Sequence, residues 1–161
     1  KLVTGVQTCA LPILYVRFAN EKSNAMGMPL PKGKVRVYKQ DDADGTLEFI
    51  GEDLIDHTPK DEKVLVKLGQ SFDLVGERTQ TNFRVDTGDK WMDESFEIKL
   101  RNRKKESVEF RVVERLYRWN NWEITAKSDE FKKTDAETIE FRVPVKPDEE
   151  RTITYTVHYS W

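Results

Sequence analysis

Apolar and polar positions alternate with a period of two through much of this chain, the mark of strands with one buried and one wet face. The clearest run is TITYTVHYSW, where Ile153, Tyr155, Val157, Tyr159 and Trp161 share one parity and Thr152, Thr154, Thr156, His158 and Ser160 the other. ESFEIKLRN sets Phe96, Ile98 and Leu100 between charged residues, and ETIEFRVPV does the same with Ile139, Phe141, Val143 and Val145. LYVRF at 14–18, KVRVYK from residue 34 and KVLVKL from residue 63 add three shorter candidates. Turn-forming residues fall between the runs, in DDADG (41–45), DHTPKDE (56–62), RNRKKES (101–107) and KPDEE (146–150). Short strands separated in this way predict an all-β fold, an antiparallel β-sandwich. No window of a dozen residues carries a helical stripe, and Asp129 to Ala136 has room for one helical turn at most.

Three details refine the pattern. In SVEFRVVERL the alternation through Val108, Phe110 and Val112 doubles at Val113, which predicts a bulge that re-aims the strand. Pro144 cannot donate to a ladder, so its strand belongs at a sheet edge or turns that amide side outward. VDTGDKW at 85–91 is a soft boundary between two β-rich halves. Residues 91–161 read as an immunoglobulin-like sandwich of about six strands, and 14–90 as a partial β region.

The opening stretch VTGVQTCALPI, residues 3–13, stands apart. It has no charged residue in a chain that is 35% charged, and it holds the single cysteine, Cys9. It has neither the basic leader nor the cleavage pattern of a signal peptide. It resembles the in-frame translation of a short-read sequencing adapter, so residues 1–13 are expected to be non-native and the native sequence to begin near Leu14, within a domain.

The remaining composition narrows the chemistry. With 27 basic and 29 acidic residues, nothing draws the chain generally to nucleic acid or anionic membrane, and no apolar run is long enough to insert in a bilayer. Setting Cys9 aside leaves no thiolate zinc site and no cysteine nucleophile. DDADGTLEFIGE imitates a calcium loop, but Gln40 and Gly51 occupy two key ligand positions, so an acidic hairpin turn is the better reading. The basic cluster Arg101, Arg103, Lys104 and Lys105 is flanked by Glu97 and Glu106 and reads as a hairpin, not a phosphate site. No serine sits in a glycine-flanked elbow, and neither phosphate-binding glycine pattern occurs. GEDLIDHTP gathers Asp53 and His57, which an extended strand would place on one side; a metal-dependent hydrolase built there is the rival class. No catalytic residue, metal or cofactor is assigned. The most suggestive segment is LYRWNNWEI, where Tyr117, Trp119 and Trp122 bracket Asn120 and Asn121, aromatic rings beside amides such as sugar or peptide recognition uses. The plainer reading gives one tryptophan to the core and the asparagines to a turn.

GMPLPKGKVRVYKQDDADGTLEFIGEDLIDHTPKDE, SFDLVGER, ESFEIKLRNRKKESVEFRVVERLYRWNNWEI and the closing TITYTVHYSW together resemble the C-terminal domain of unknown function of mucoidy-inhibitor-A-like bacterial proteins. The likeness runs over nearly all of residues 14–161. It implies an exported, periplasmic or envelope-associated setting, and it supplies no catalytic residues. The expectation is a non-catalytic module that contacts a protein or an envelope polymer; a purely structural spacer is a third reading.

Overall fold

A computed structural model of the chain describes residues 2–6, 13–41, 44–71 and 73–161. The fold is all-β, and the one helical element among the described residues is a short 3-10 turn at Lys22–Asn24. The strands are β1 (Leu2–Val6), β2 (Ile13–Ala19), β3 (Gly33–Gln40), β4 (Leu47–Ile55), β5 (Lys63–Gln70), β6 (Leu74–Asp86), β7 (Trp91–Asn102), β8 (Val108–Arg115), β9 (Asn121–Lys127), β10 (Phe131–Lys133), β11 (Thr138–Val145) and β12 (Glu150–Ser160). Of the opening stretch, Val3–Val6 lies in strand β1, while residues 7–12, with Cys9, lie outside the described residues. Residues 13–70 form one compact unit and residues 71–161 a second.

In the first unit β3 and β4 form a hairpin and β2 pairs antiparallel with β5. Ile55, Val64 and Val66 make the core, with Phe18, Leu30, Val35, Val37 and Leu68 packed against them. β4 crosses β5 closely enough that a Cβ on Gly51 would lie 2.5 Å from the Leu68 carbonyl oxygen, so only glycine fits there. Buried Asn20 ties the loops together: its Nδ2 donates to the Met28 carbonyl at 2.7 Å and the Pro59 carbonyl at 2.9 Å, and its Oδ1 accepts from the Gly27 amide at 3.0 Å.

The second unit is a sandwich. One layer runs in the order β6-β7-β12-β9, and in the other β11 lies between β10 and β8. β7 and β12 bury Phe96, Ile98, Leu100, Ile153, Tyr155, Val157 and Tyr159, while β8 and β11 bury Val108, Phe110, Val112, Ile139, Phe141, Val143 and Val145. Phe141 and Tyr155 meet between the layers at 5.7 Å. The parity read from the sequence therefore holds along β7, β11 and β12. Trp161, on the inward parity of β12, is nevertheless 40% exposed beyond the strand's end.

Two expectations are corrected, and one limit is respected. β8 pairs with β11 from Val108 to Arg115 with no shift in register, so there is no bulge at Val112–Val113. Alternation simply continues, and the next inward residue is Glu114, 2% exposed; a charge in a core position disguised the strand. Residues 129–136 hold β10 and no helical turn, within the limit of one turn read from the sequence. Residues 85–91 contain the turn between β6 and β7, which pair from Leu74–Asn102 through Asp86–Trp91. Strand β6 escaped the sequence reading because its inward positions after Leu74 are Gly76, Arg78 and Gln80. Pro144 is accommodated because β10 pairs only with residues 139–141 and stops short of it.

Candidate functional site

The segment from Leu116 to Asn120 joins β8 to β9. Leu116 turns inward, and its amide donates to the Glu137 carbonyl at 2.6 Å, which anchors the segment. The residues after it face water: Tyr117 is 67% and Trp119 43% exposed. Trp119 stacks on Trp161 with ring centroids 4.9 Å apart and planes 17° from parallel. The Trp161 amide donates to the Lys90 carbonyl at 3.1 Å, which holds the chain end in place. Asn120 is exposed beside this indole pair in sequence. Asn121 and Trp122 already belong to β9. Asn121 Nδ2 donates to Ser160 Oγ, and Trp122 Nε1 donates to the Ala136 carbonyl at 2.9 Å with the Lys133 ammonium 4.4 Å from the ring centre. The five residues singled out in the sequence thus divide: Tyr117, Trp119 and Asn120 are presented to solvent, while Asn121 and Trp122 make bonds within the unit.

Tyr117 also stands at the rim of a polar cleft that sequence reasoning missed. The cleft is lined by Arg78 and Gln80 of β6, Glu94 and Phe96 of β7, Tyr155 and Tyr159 of β12, and residues 115–118. Arg78 Nε donates to Glu114 Oε2 at 2.9 Å, Tyr155 Oη donates to the same oxygen at 2.5 Å, and the Arg78 guanidinium lies 3.7 Å over the Phe96 ring. A second cluster surrounds Glu94, 4% exposed, whose Oε1 accepts from Gln80 Nε2 and from Arg118 Nη2, each at 3.1 Å. Burial, reinforced by the Glu114 carboxylate, pushes the Tyr155 hydroxyl well above the usual tyrosine range; burial and Glu94 do the same to Tyr159. Both phenols therefore stay protonated. The Arg78 guanidinium stays charged because Glu114 and Tyr155 outweigh the burial that opposes its charge. What this arrangement offers is a set of fixed hydrogen-bond donors and acceptors. The available signal was parity: Glu94 and Glu114 occupy inward positions of good strands, and a buried carboxylate needs a partner.

The other sequence candidates are engaged separately. Asp53 Oδ2 accepts from the Lys67 amide at 2.7 Å and its Oδ1 from the Leu54 amide at 2.9 Å, whereas His57 Nδ1 accepts from the Lys32 amide at 3.2 Å. Among the described residues no group of three or more His, Cys, Asp and Glu could hold a metal ion. In the acidic hairpin turn Asp44 Oδ1 accepts from Thr46, backbone and side chain, at 2.9 and 2.7 Å; Asp42 lies outside the described residues. Arg101, from the basic cluster, is held by Glu77 at 2.8 Å and Glu150 at 2.7 Å. No described helix is long and apolar enough to cross a membrane.

Fold and site together define an all-β antiparallel protein whose second unit presents an aromatic surface and a polar cleft. Comparison with protein-family models, curated proteins and solved structures returns no match.

Proposed function

We propose that this chain is a non-catalytic β-sandwich module of an exported bacterial protein, acting in contact with another protein or a cell-envelope polymer. The observation that carries the reading is the solvent-facing indole pair of Trp119 and Trp161, 43% and 40% exposed, with Tyr117 and Asn120 on the same segment as Trp119. Large flat rings held rigidly at a surface supply contact area at little entropic cost, as binding surfaces require. The envelope setting rests on the resemblance of residues 14–161 to mucoidy-inhibitor-A-like proteins. Purified chain mixed with insoluble cell-wall polymer, and separately with a detergent extract of envelope proteins, should be retained by one of the two. Trp119→Ala should cut that retention about tenfold or more, the loss expected of a contact hot spot, while leaving the melting temperature unchanged. Retention that ignores Trp119 would remove the aromatic surface from the account. Stabilisation by a divalent metal, lost in Asp53→Ala and His57→Ala alike, would replace the module with a metal-dependent hydrolase.

A further inference from the structure

The polar cleft contains a buried group that its protein neighbours leave unused. Tyr159 is 2% exposed and lines the cleft, yet its hydroxyl makes no hydrogen bond with any described residue. Tyr155, two residues earlier on the same face of β12, donates to Glu114. Buried hydroxyls nearly always have a partner, protein or water, so an orphan hydroxyl on a residue lining a cleft is a position that a ligand group can take from water. The charges around it are already matched: Arg78 with Glu114 at 2.9 Å, Arg118 with Glu94 at 3.1 Å, and Arg115 with Glu137 at 3.3 Å. Each arginine charge is thus offset by a carboxylate, so little net charge is left to draw an ionic ligand, and the cleft favours a neutral one. What stays available is the Tyr159 hydroxyl, the Gln80 side-chain carbonyl and the N–H groups of Arg118 beyond the one held by Glu94. A set that mixes donors and acceptors suits hydroxyl groups, which do both. The cleft measures about 180 Å³, below the roughly 300–1,000 Å³ of sites for drug-sized molecules, so it suits one ring. Tyr117 lines the cleft and is 67% exposed, with the Arg118 guanidinium 5.4 Å from its ring centre, so its ring leaves aromatic surface for the C–H side of such a ring.

We propose that this cleft binds a single neutral sugar ring, free or at the end of a glycan, with Tyr159, Gln80 and Arg118 bonding its hydroxyls and Tyr117 covering it. The inference does not rest on the indole surface, and either can fail without the other. It is tested by titrating the isotope-labelled chain with glucose, galactose and N-acetylglucosamine, with their methyl glycosides, and with acetate and inorganic phosphate as charged comparators, while following backbone amide resonances. At least one sugar should shift the Leu116, Tyr117 and Arg118 amides saturably, and equal binding of its methyl glycoside would point to a glycan end. Tyr159→Phe and Tyr117→Ala should each weaken that sugar about tenfold, the equivalent of one lost ligand hydrogen bond or ring contact. Tyr159→Phe should also melt at the same temperature as the parent chain or higher, because it removes an unpartnered buried hydroxyl. The proposal is overturned if acetate or phosphate moves these amides in preference to the sugars, if no solute moves them, or if Tyr159→Phe melts lower, which would make the hydroxyl part of the fold.

Discussion

Asn102 is fully buried at the end of β7, where three chain segments converge. Its Nδ2 donates to the carbonyls of Glu106, Val145 and Lys146 at 2.8, 3.2 and 3.0 Å, and its Oδ1 accepts from the Lys104 amide at 2.9 Å. One amide thereby bonds backbone groups of two turns and ties both to the end of β7. Asn20 does the same work in the first unit. The distinction between amide and carboxylate is therefore decisive although the shapes match. Asn102→Asp would aim a carboxylate at three carbonyl oxygens with no donor to offer. It should destabilise the second unit by about 3 kcal/mol or more, as burial of an uncompensated charge does. Part of that loss should return at acid pH, where the protonated acid can donate one hydrogen bond. Urea titrations of parent and variant at neutral and acid pH measure both effects, and equal midpoints would show that Asn102 is dispensable.

At the scale of the element, β8 shows how far a strand pattern can be trusted. Val112 is fully buried and Val113 half-buried on the opposite face, because β8 keeps a straight register with β11 through Arg115. Val112→Thr buries a hydroxyl in the sandwich core and should cost about 1–3 kcal/mol. Val113→Thr should change stability by no more than about 0.5 kcal/mol, as outward substitutions generally do. Reversal of that order in denaturant midpoints would restore the bulge. The strands legible in the sequence are those whose inward positions are wholly or mostly apolar: β2, β3, β5, β7, β11 and β12. β6 was illegible because Arg78 and Gln80 take its inward places, and the end of β8 was misread because Glu114 does. These are the residues that build the polar cleft, so the features that hid the strands also hid the site. Sequence reasoning reached only the cleft's rim, through Tyr117, because an exposed aromatic needs no knowledge of pairing to be noticed. In the second unit the register shifts at Thr81 of β6, between Gln80 and Asn82, and at Thr125 of β9, opposite Thr156 and Val157, and no doubled apolar residue announces either.

At the scale of the whole molecule, the titrating groups set the pH range over which the fold is most stable. Burial of Glu140, 3% exposed, would raise its pKa, but hydrogen bonds from Arg111 at 2.5 Å and Arg142 at 2.7 Å, with their charges, prevail and hold it below the usual carboxylate range. Glu52 is lowered by Lys34 and Arg36, Asp44 by Thr46, and Asp135 by the Glu137 amide and Thr138. A carboxyl whose pKa is lower in the folded than in the unfolded chain binds fewer protons when folded. Its contribution is full above the unfolded value, near 4.5 for glutamate, and is lost as pH falls through the folded one. Tyr155 and Tyr159 are raised above 10.0, so their contribution is full below that value and declines as pH rises beyond it. Melting temperature should accordingly be nearly flat between these limits and fall on both sides. Glu140→Gln isolates one contributor to the acid limb. Its arginine partners are 40% and 50% exposed, so solvent screening keeps the loss at neutral pH to about 1–2 kcal/mol. That difference between parent and variant should vanish as the pH falls below the folded pKa of Glu140, since the parent then carries the same uncharged group. A gap between the two melting curves that persists undiminished in acid would mean that Glu140 stabilises the sandwich through packing, with no contribution from its charge.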